Sequence, residues 1–316
     1  MLLRSRPATL DDLVAARDTL AYQYGNDPEL LSRLPEAWEG LLDLLSVWSM
    51  VVEDLDAPEE RRIVSYSLTA FVSESFARRI QNGEVPFLGA WVAWSFLEGG
   101  GEPLTEKEVA AAQAGDGLNA VTLHSVCTLV PKGSHPPISV GEHIARQNFD
   151  AMRGYRIRRS FREVYSPESL RTYSTGGWRL RSDYRPFFGD EATEPRADRP
   201  FLLGIDRDEA QSEPGARMAT LFVDRRPRLE LPRGYRELLG LALEGLSDQE
   251  IADRLCVSIS TVKKRWMALY EHVEVRVPGL LPSAEWRFSG GRGVERRRHL
   301  LGFVREHPEE LRAFVE

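Results

Sequence analysis

Residues 238–273 read LLGLALEGLSDQEIADRLCVSISTVKKRWMALYEHV, and this stretch predicts three short helices in succession. Gly245 follows a helical run of leucines and alanine, at a position where helices commonly end with positive φ. Ser247 and Glu250 have the spacing of a capping box, which starts a second helix. Ser258 caps a third helix, whose apolar side chains cluster on one face. The stretch therefore predicts a small all-α domain of the helix-turn-helix type.

The segment EGLSDQEIADRLCVSISTVKKR within it resembles the LuxR/GerE class of bacterial helix-turn-helix domains. The resemblance implies that the third helix enters the major groove of double-stranded DNA. It implies phosphate or base-edge contacts from six side chains, namely Ser258, Ser260, Thr261, Lys263, Lys264 and Met267. A plain three-helix bundle and a protein-contacting motif like that of sigma-factor region four are the alternatives.

Charge in this segment is nearly balanced, with six basic and seven acidic side chains between Arg233 and Glu274. One copy is therefore expected to bind DNA weakly, because phosphate contacts supply most of the affinity for DNA. A homodimer that reads two half-sites would supply the missing affinity. The other partners expected for such a regulator are a small-molecule or protein effector and RNA polymerase.

The whole chain is long enough for about two domains, since it has 316 residues of which 42% are hydrophobic. We predict a sensory or acyltransferase-like domain over residues 1–228, the helix-turn-helix over 229–275 and a basic helical tail over 276–316. In the tail, Arg292 and Arg296 to Arg298 are second candidates for phosphate contacts, and a terminal helix contains Leu311 and Phe314. The net charge of −7 excludes a protein that coats nucleic acid indiscriminately.

Cysteine and hydropathy patterns restrict the remaining classes of protein. Cys127 and Cys256 are far apart and form no CxxC pair, so neither a disulfide framework nor a cysteine zinc site is predicted. The opening MLLRSRPATLDD lacks the apolar core of a signal peptide, and no apolar run reaches membrane-spanning length. We therefore expect a cytoplasmic protein with no membrane partner.

Periodicity along residues 1–225 alternates between that of helices and that of strands. This pattern predicts an α+β or α/β domain around a mixed or mainly antiparallel sheet. The predicted helices cover residues 9–24, 35–45, 74–81 and 106–113. The predicted strands cover residues 50–53, 63–72, 87–96 and 120–129, and residues 201–205 and 218–223 are expected to pair as a hairpin.

Two segments of this part resemble the GNAT acyltransferase fold. The opening LRSRPATLDDLVAAR is similar to its first strand and helix, and ESLRTYSTGGWRL at Glu168–Leu180 to its closing helix and strand. The resemblance implies an N-acyltransferase that uses acetyl-CoA, with VCTLVP as the strand before the cofactor loop. After this strand, however, Gly133 and Gly141 are too far apart to form the glycine pattern of such a loop. Pro136 and Pro137 also lack two of the backbone N–H groups that the loop would need to bind the cofactor. The resulting prediction is a transcriptional regulator that is not an enzyme and has no cofactor or catalytic residue; the acyltransferase with an appended DNA-binding module is the alternative.

Three other features of residues 1–225 could belong to a functional site or could have only a structural role. His124, His135 and His143 lack the spacing of metal ligands, so no metal is predicted. The arginine-rich run at 153–162 could bind an anion or form a solvated, ion-paired face. Trp91 and Trp94, finally, could line a ligand cavity or belong to the core.

Overall fold

The chain forms two compact units, one of Met1–Met152 with Arg156–Val223 and one of Arg153–Tyr155 with Asp224–Glu316. The computed structural model describes residues 1–131, 134–185, 199–212, 217–223, 225–282 and 292–312. None of the helices in these ranges is long and apolar enough to cross a membrane.

A single mixed sheet organises the first unit, and the described residues contribute seven strands to it in the order β1-β2-β3-β4-β5-β7-β6. The predicted α+β class with a mixed sheet is thereby confirmed. The strands are β1 (Leu3–Arg6), β2 (Val47–Asp54), β3 (Ile63–Val72), β4 (Leu118–Cys127), β5 (Ile157–Val164), β6 (Arg179–Asp183) and β7 (Phe201–Asp206).

Helices lie between the strands in sequence and begin at well-formed caps. Thr9 and Asp12 make the capping box of α1, and Thr105 and Glu108 make that of α5. The helices of this unit are α1 (Leu10–Leu20), α2 (Pro28–Leu42), α3 (Glu74–Gln81), α4 (Leu88–Leu97), α5 (Glu106–Ala114), α6 (Ile138–Met152), α7 (Pro167–Thr175) and α8 (Arg207–Ser212).

Strands β4 and β5 form the one parallel pair among the sheet neighbours of the described chain. Their pairing runs only from Leu118 opposite Ile157 to Val121 opposite Phe161. Beyond that point β4 continues to Cys127 along β3, while β5 continues along β7. The two strands therefore diverge at their carboxyl ends and leave an opening within the sheet.

The main core lies on one face of the sheet, beneath α1, α2 and α4. Trp38, Leu68 and Phe76 are among its buried side chains. A smaller cluster on the opposite face joins β2, β3 and β4 to α6 through Val52, Val64 and Val140. The opening between β4 and β5 thus has packed helices on both sides.

The segment 87–96, predicted as a strand, is helix α4 instead. A short, continuous apolar run does not distinguish a buried strand from a buried helix by periodicity alone. Val92 and Ala93 are buried whereas Trp91 is 40% exposed, as a helix with one face on the core requires. Gly89 lets this helix approach β4, because a Cβ there would lie 2.5 Å from the Leu123 carbonyl oxygen.

The predicted hairpin of residues 201–205 with 218–223 is also wrong. Strand β7 pairs with β5 and β6, and Arg217–Phe222 is a 3₁₀ helix. Helix α2 begins earlier than predicted, since Asp27 accepts from the N–H groups of Glu29 and Leu30 and Pro28 occupies the first turn.

Helices make up the second unit in the described residues. They are α9 (Arg233–Leu243), α10 (Asp248–Arg254), α11 (Ile259–Arg276) and α12 (Arg292–Glu306). The predicted capping box of Ser247 and Glu250 is present, and Ser258 caps α11. Leu238, Val262 and Leu300 lie in the shared core of this unit. Phe314 of the predicted terminal helix lies outside the described residues.

Candidate active site in the opening of the sheet

A cavity of about 360 Å³ occupies the opening between β4 and β5. Its walls come from the diverging ends of both strands, from α6 and α7, and from the segment that joins α1 to α2. The volume falls in the range of small-molecule sites in proteins, and the lining combines apolar side chains with a few polar ones. We therefore take this cavity as the candidate active site.

The edge of β4 that faces the opening is held at one point by a side chain. Gln23 accepts from the Ser125 N–H at 2.9 Å and donates to the Ser125 carbonyl oxygen at 2.9 Å. The Thr128 N–H, by contrast, donates to Val64 of β3. Because backbone groups alternate along an antiparallel strand, the N–H of Cys127 points the same way as that of Ser125. Strand β4 thus offers backbone polar groups to the cavity.

Glu163 of β5 is one of the two acidic side chains in the lining of the cavity. Its carboxylate accepts from the N–H groups of Phe87 at 2.6 Å and Leu88 at 3.0 Å, and from the Tyr165 hydroxyl at 3.2 Å. Burial away from bulk water raises the pKa of Glu163 to about 8, although these three donors act in the opposite direction. Part of the side chain remains open to the cavity. Glu163 is therefore placed and tuned to exchange a proton near neutral pH.

Tyr173 of α7 also lines the cavity. Its ring lies 6.5 Å from that of Trp178 and 5.7 Å from that of His135, and the Arg162 guanidinium covers it at 3.9 Å. No hydrogen bond of the Tyr173 hydroxyl to another described residue is present. The cavity thus brings together a carboxyl group and a phenol, which are groups capable of acid–base catalysis.

The amino end of α6 contributes Ile138 and Gly141 to the lining of the cavity. Its first N–H groups, at Ile138, Ser139 and Val140, have no partner in the preceding turn of a helix, and such groups bind phosphate well. Pro136 and Pro137 directly precede α6, where an intrahelical donor is not needed. The two prolines are thus compatible with anion binding here; Gly133 lies outside the described residues.

The three histidines are not brought together. His124 is buried in the core, where its Nδ1 pairs with the Tyr24 hydroxyl at 2.8 Å and burial lowers its pKa to about 3. His143 pairs with Ser5 at 2.8 Å, and His135 lines the cavity. Within the described ranges no cluster of His, Cys, Asp and Glu could hold a metal ion.

The arginine-rich run divides between the two expected roles. Arg159 and Arg158 pair with Glu74 at 2.9 and 3.4 Å, so these two arginines belong to an ion-paired face. Arg162 instead lines the cavity. Trp91 and Trp94 lie outside the cavity: Trp91 stacks under Arg79, and the Trp94 Nε1–H donates to Asp27.

The mixed sheet of the first unit thus opens between its parallel strands β4 and β5, and the cavity lies in this opening. The first unit has a GNAT-like fold. No known protein-family profile matches the chain, and no curated protein matches it. Several solved structures do match.

Three of these structures illustrate the likeness. The C-terminal condensation domain of Ebony in complex with beta-alanyl-dopamine is 14% identical, with 65% of this chain and 99% of that chain covered and a TM-score of 0.39. The spermidine/spermine N-acetyltransferase SpeG from Vibrio cholerae is 11% identical, with 67% and 100% covered and a TM-score of 0.37. FeeM, an N-acyl amino acid synthase from uncultured soil microbes, is 9% identical, with 66% and 93% covered and a TM-score of 0.35.

The prediction of a DNA-binding transcriptional regulator that is not an enzyme is wrong. The solved structures named here are a condensation domain, an acetyltransferase and an N-acyl amino acid synthase, and they match about two thirds of the chain. The prediction relied on the helix-turn-helix pattern, which covers only a small part of the chain. The cavity and its titratable groups lie in the larger unit.

The six side chains predicted to contact DNA lie at the start and on one side of α11. Five of them, Ser258, Ser260, Lys263, Lys264 and Met267, are exposed, and Thr261 is half-buried. Ser258 bonds to the hydroxyls of both Ser260 and Thr261. In the tail, Arg297 pairs with Asp248 at 2.6 Å and covers the Trp266 ring. Whether the six contact DNA stays a prediction.

Proposed function

We propose that the chain is an N-acyltransferase that moves an acyl group from a coenzyme A thioester to an amine. The observation that carries the proposal is the cavity between the diverging parallel strands, with backbone groups of β4 on one wall. The pantetheine arm of coenzyme A contains two amide groups, which can bond to such a strand edge. The amino end of α6, whose first residue lines the cavity, suits the phosphates of the same molecule.

Glu163 and Tyr173 can supply the proton transfers of this reaction. Glu163 accepts a proton from the amine, whose nitrogen attacks the thioester carbonyl carbon. The new C–N bond forms, the C–S bond breaks, and Tyr173 donates a proton to the departing sulfur. The two side chains reach the cavity from different elements, β5 and α7.

Blocking the cavity tests the proposal. Ala145 of α6 lines the cavity, and Ala145→Trp is expected to reduce acetyl-CoA binding and acyl transfer by at least about 100-fold, because the indole fills space that the donor needs. Binding is measured by calorimetry and transfer with a panel of primary amines. The next residue, Arg146, is exposed, and Arg146→Trp is the matched control that should leave both unchanged.

If the wild-type chain neither binds acetyl-CoA nor acylates any amine of the panel, the proposal fails. Equal activity of the Ala145→Trp and Arg146→Trp variants would show that the reaction takes place elsewhere.

For the second unit we propose an appended DNA-binding module. The exposed side of α11 that bears Lys263 and Lys264 supports this proposal. DNA binding, and the dimer expected to strengthen it, would localise the transferase. No membrane partner is proposed.

Two lysine variants test the module. Lys264→Ala is expected to weaken specific DNA binding by about 1–3 kcal/mol if the side chain reads a base, whereas Lys263→Ala should weaken binding evenly across sequences if it contacts phosphate. Selection from a random DNA pool, followed by titration at fixed salt, measures both. Equal and negligible effects would show that α11 does not enter the groove.

A further inference from the structure

Arg162 is a cation in the cavity without a counter-ion among the described residues. Its Nε is buried and has no hydrogen-bond partner, and its contacts are with the rings of Tyr173 at 3.9 Å and Trp178 at 5.7 Å. The nearby arginines of β5 differ, since Arg158 and Arg159 each pair with an acidic side chain. Arg162 is therefore the exception among the three arginines of β5.

The aromatic contacts of Arg162 leave the N–H groups of its guanidinium available to bind a ligand. Stacking on the two rings uses the face of the guanidinium, whereas the N–H groups lie in its plane and point outward from its edge. That edge matches the two oxygens of a carboxylate, which it binds through parallel hydrogen bonds. A buried donor without a partner costs free energy, and a bound carboxylate would remove that cost.

The surroundings of Arg162 favour an anion as well. Ser160 lies two residues away on the same face of β5, and Ser65, Ser67 and Thr122 bring further hydroxyls to this side of the cavity. The Ser65 hydroxyl is buried and has no partner. Of the two acidic side chains in the lining, Glu142 is exposed, and the Glu163 carboxylate accepts from the N–H groups of Phe87 and Leu88.

We propose that the cavity takes a substrate that bears a carboxylate, and that Arg162 binds this carboxylate. The inference rests on the proposed N-acyltransferase activity and names the class of substrate. The carboxylate can belong to the acyl group of the thioester, as in a dicarboxylic acyl donor, or to the amine, as in an amino acid. Both sources present the same chemistry to the guanidinium.

Matched pairs of substrates separate the two sources. Succinyl-CoA and butyryl-CoA have the same chain length and differ in the terminal carboxylate, and they are compared with β-alaninamide as the amine. β-Alanine and β-alaninamide differ in the same way on the acceptor side, and they are compared with butyryl-CoA as the donor. The full-length chain should prefer the carboxylate in one of the two pairs by about tenfold or more in kcat/KM.

Variants of Arg162 then test the assignment. Arg162→Gln should abolish that preference, and Arg162→Lys, which keeps the charge but loses the planar fork, should retain part of it. The ratio within a pair is the readout, because a general loss of activity cancels from it. Arg171 of α7 is exposed and does not line the cavity, so Arg171→Gln is the control that should keep the wild-type preference.

The outcomes distinguish this inference from the proposed function. Turnover of the neutral substrates with no preference in either pair, or a preference that survives in Arg162→Gln, overturns the role of Arg162 and leaves the acyltransferase proposal standing. The absence of turnover with all three combinations of donor and amine, together with no binding of either thioester by calorimetry, overturns both.

Discussion

Replacing Glu163 with glutamine is expected to lower kcat by about 10²- to 10⁴-fold, the usual contribution of a positioned general base. Glutamine has nearly the same size, but its one oxygen replaces only one of the two carboxylate oxygens that accept from the N–H groups of Phe87 and Leu88. Circular dichroism therefore checks that the variant keeps the wild-type fold. Glutamine cannot accept a proton from the amine. Steady-state kinetics at fixed acetyl-CoA measure the effect, and Glu168→Gln, at an exposed position of α7, is the control.

The pH dependence of this variant has a defined sign. Since the pKa of Glu163 is raised from 4.5 to about 8, kcat of the wild type should rise with pH and level off above about 8. The folded chain holds this proton more tightly than the unfolded chain, so the contribution of Glu163 to the free energy of unfolding should fall as pH rises from 4.5 to about 8. Both dependences should be absent in Glu163→Gln. An unchanged kcat, or the same pH profile in the variant, would exclude Glu163 as the base.

Replacing Trp38 with alanine is expected to lower the free energy of unfolding by about 3–5 kcal/mol, as other truncations of buried aromatic side chains do. Trp38 is fully buried, packs edge-on against the rings of Tyr24 and His124, and donates from Nε1 to the Tyr24 hydroxyl at 3.1 Å. The variant loses the packing and leaves a cavity in the core beneath α2. Urea denaturation followed by circular dichroism measures the loss.

Trp91 provides the comparison for Trp38. It is 40% exposed and contacts Arg79, so Trp91→Ala should cost clearly less. Trp38→Phe should fall between the two, because it keeps an aromatic ring and removes the Nε1 donor. If Trp91→Ala is as destabilising as Trp38→Ala, the core is centred elsewhere.

Much of the fold could be predicted from local sequence signals. The capping boxes of Thr9 with Asp12 and of Ser247 with Glu250 depend on residues three apart, so spacing alone identifies them. The run at 63–72 is a strand because β-branched and aromatic residues dominate it. The segment 87–96 has a similar composition, yet it is a helix, since contacts with β4 decide its conformation.

The candidate site could not be predicted in the same way, because strand pairing assembles it. Gln23 and Ser125 are 102 residues apart, and Glu163 is 75 residues from Leu88. One local signal was present: Phe161 and Glu163 lie on one face of β5, and Tyr165 follows directly after the strand. An acid on a buried face next to aromatic residues needs partners. The helix-turn-helix pattern, in contrast, is local and strong, and it directed the functional prediction to the smaller unit.

The two hydrogen bonds between Gln23 and Ser125 also affect how the chain folds. A strand edge inside a sheet invites pairing with any other free strand, which is a route to aggregation. At Ser125 a side chain from the segment after α1 covers that edge, and the loop it closes spans 102 residues, so this contact is costly to form early in folding. Until the first helices dock, β4 is exposed to misfolding at the same edge that lines the cavity of the finished protein.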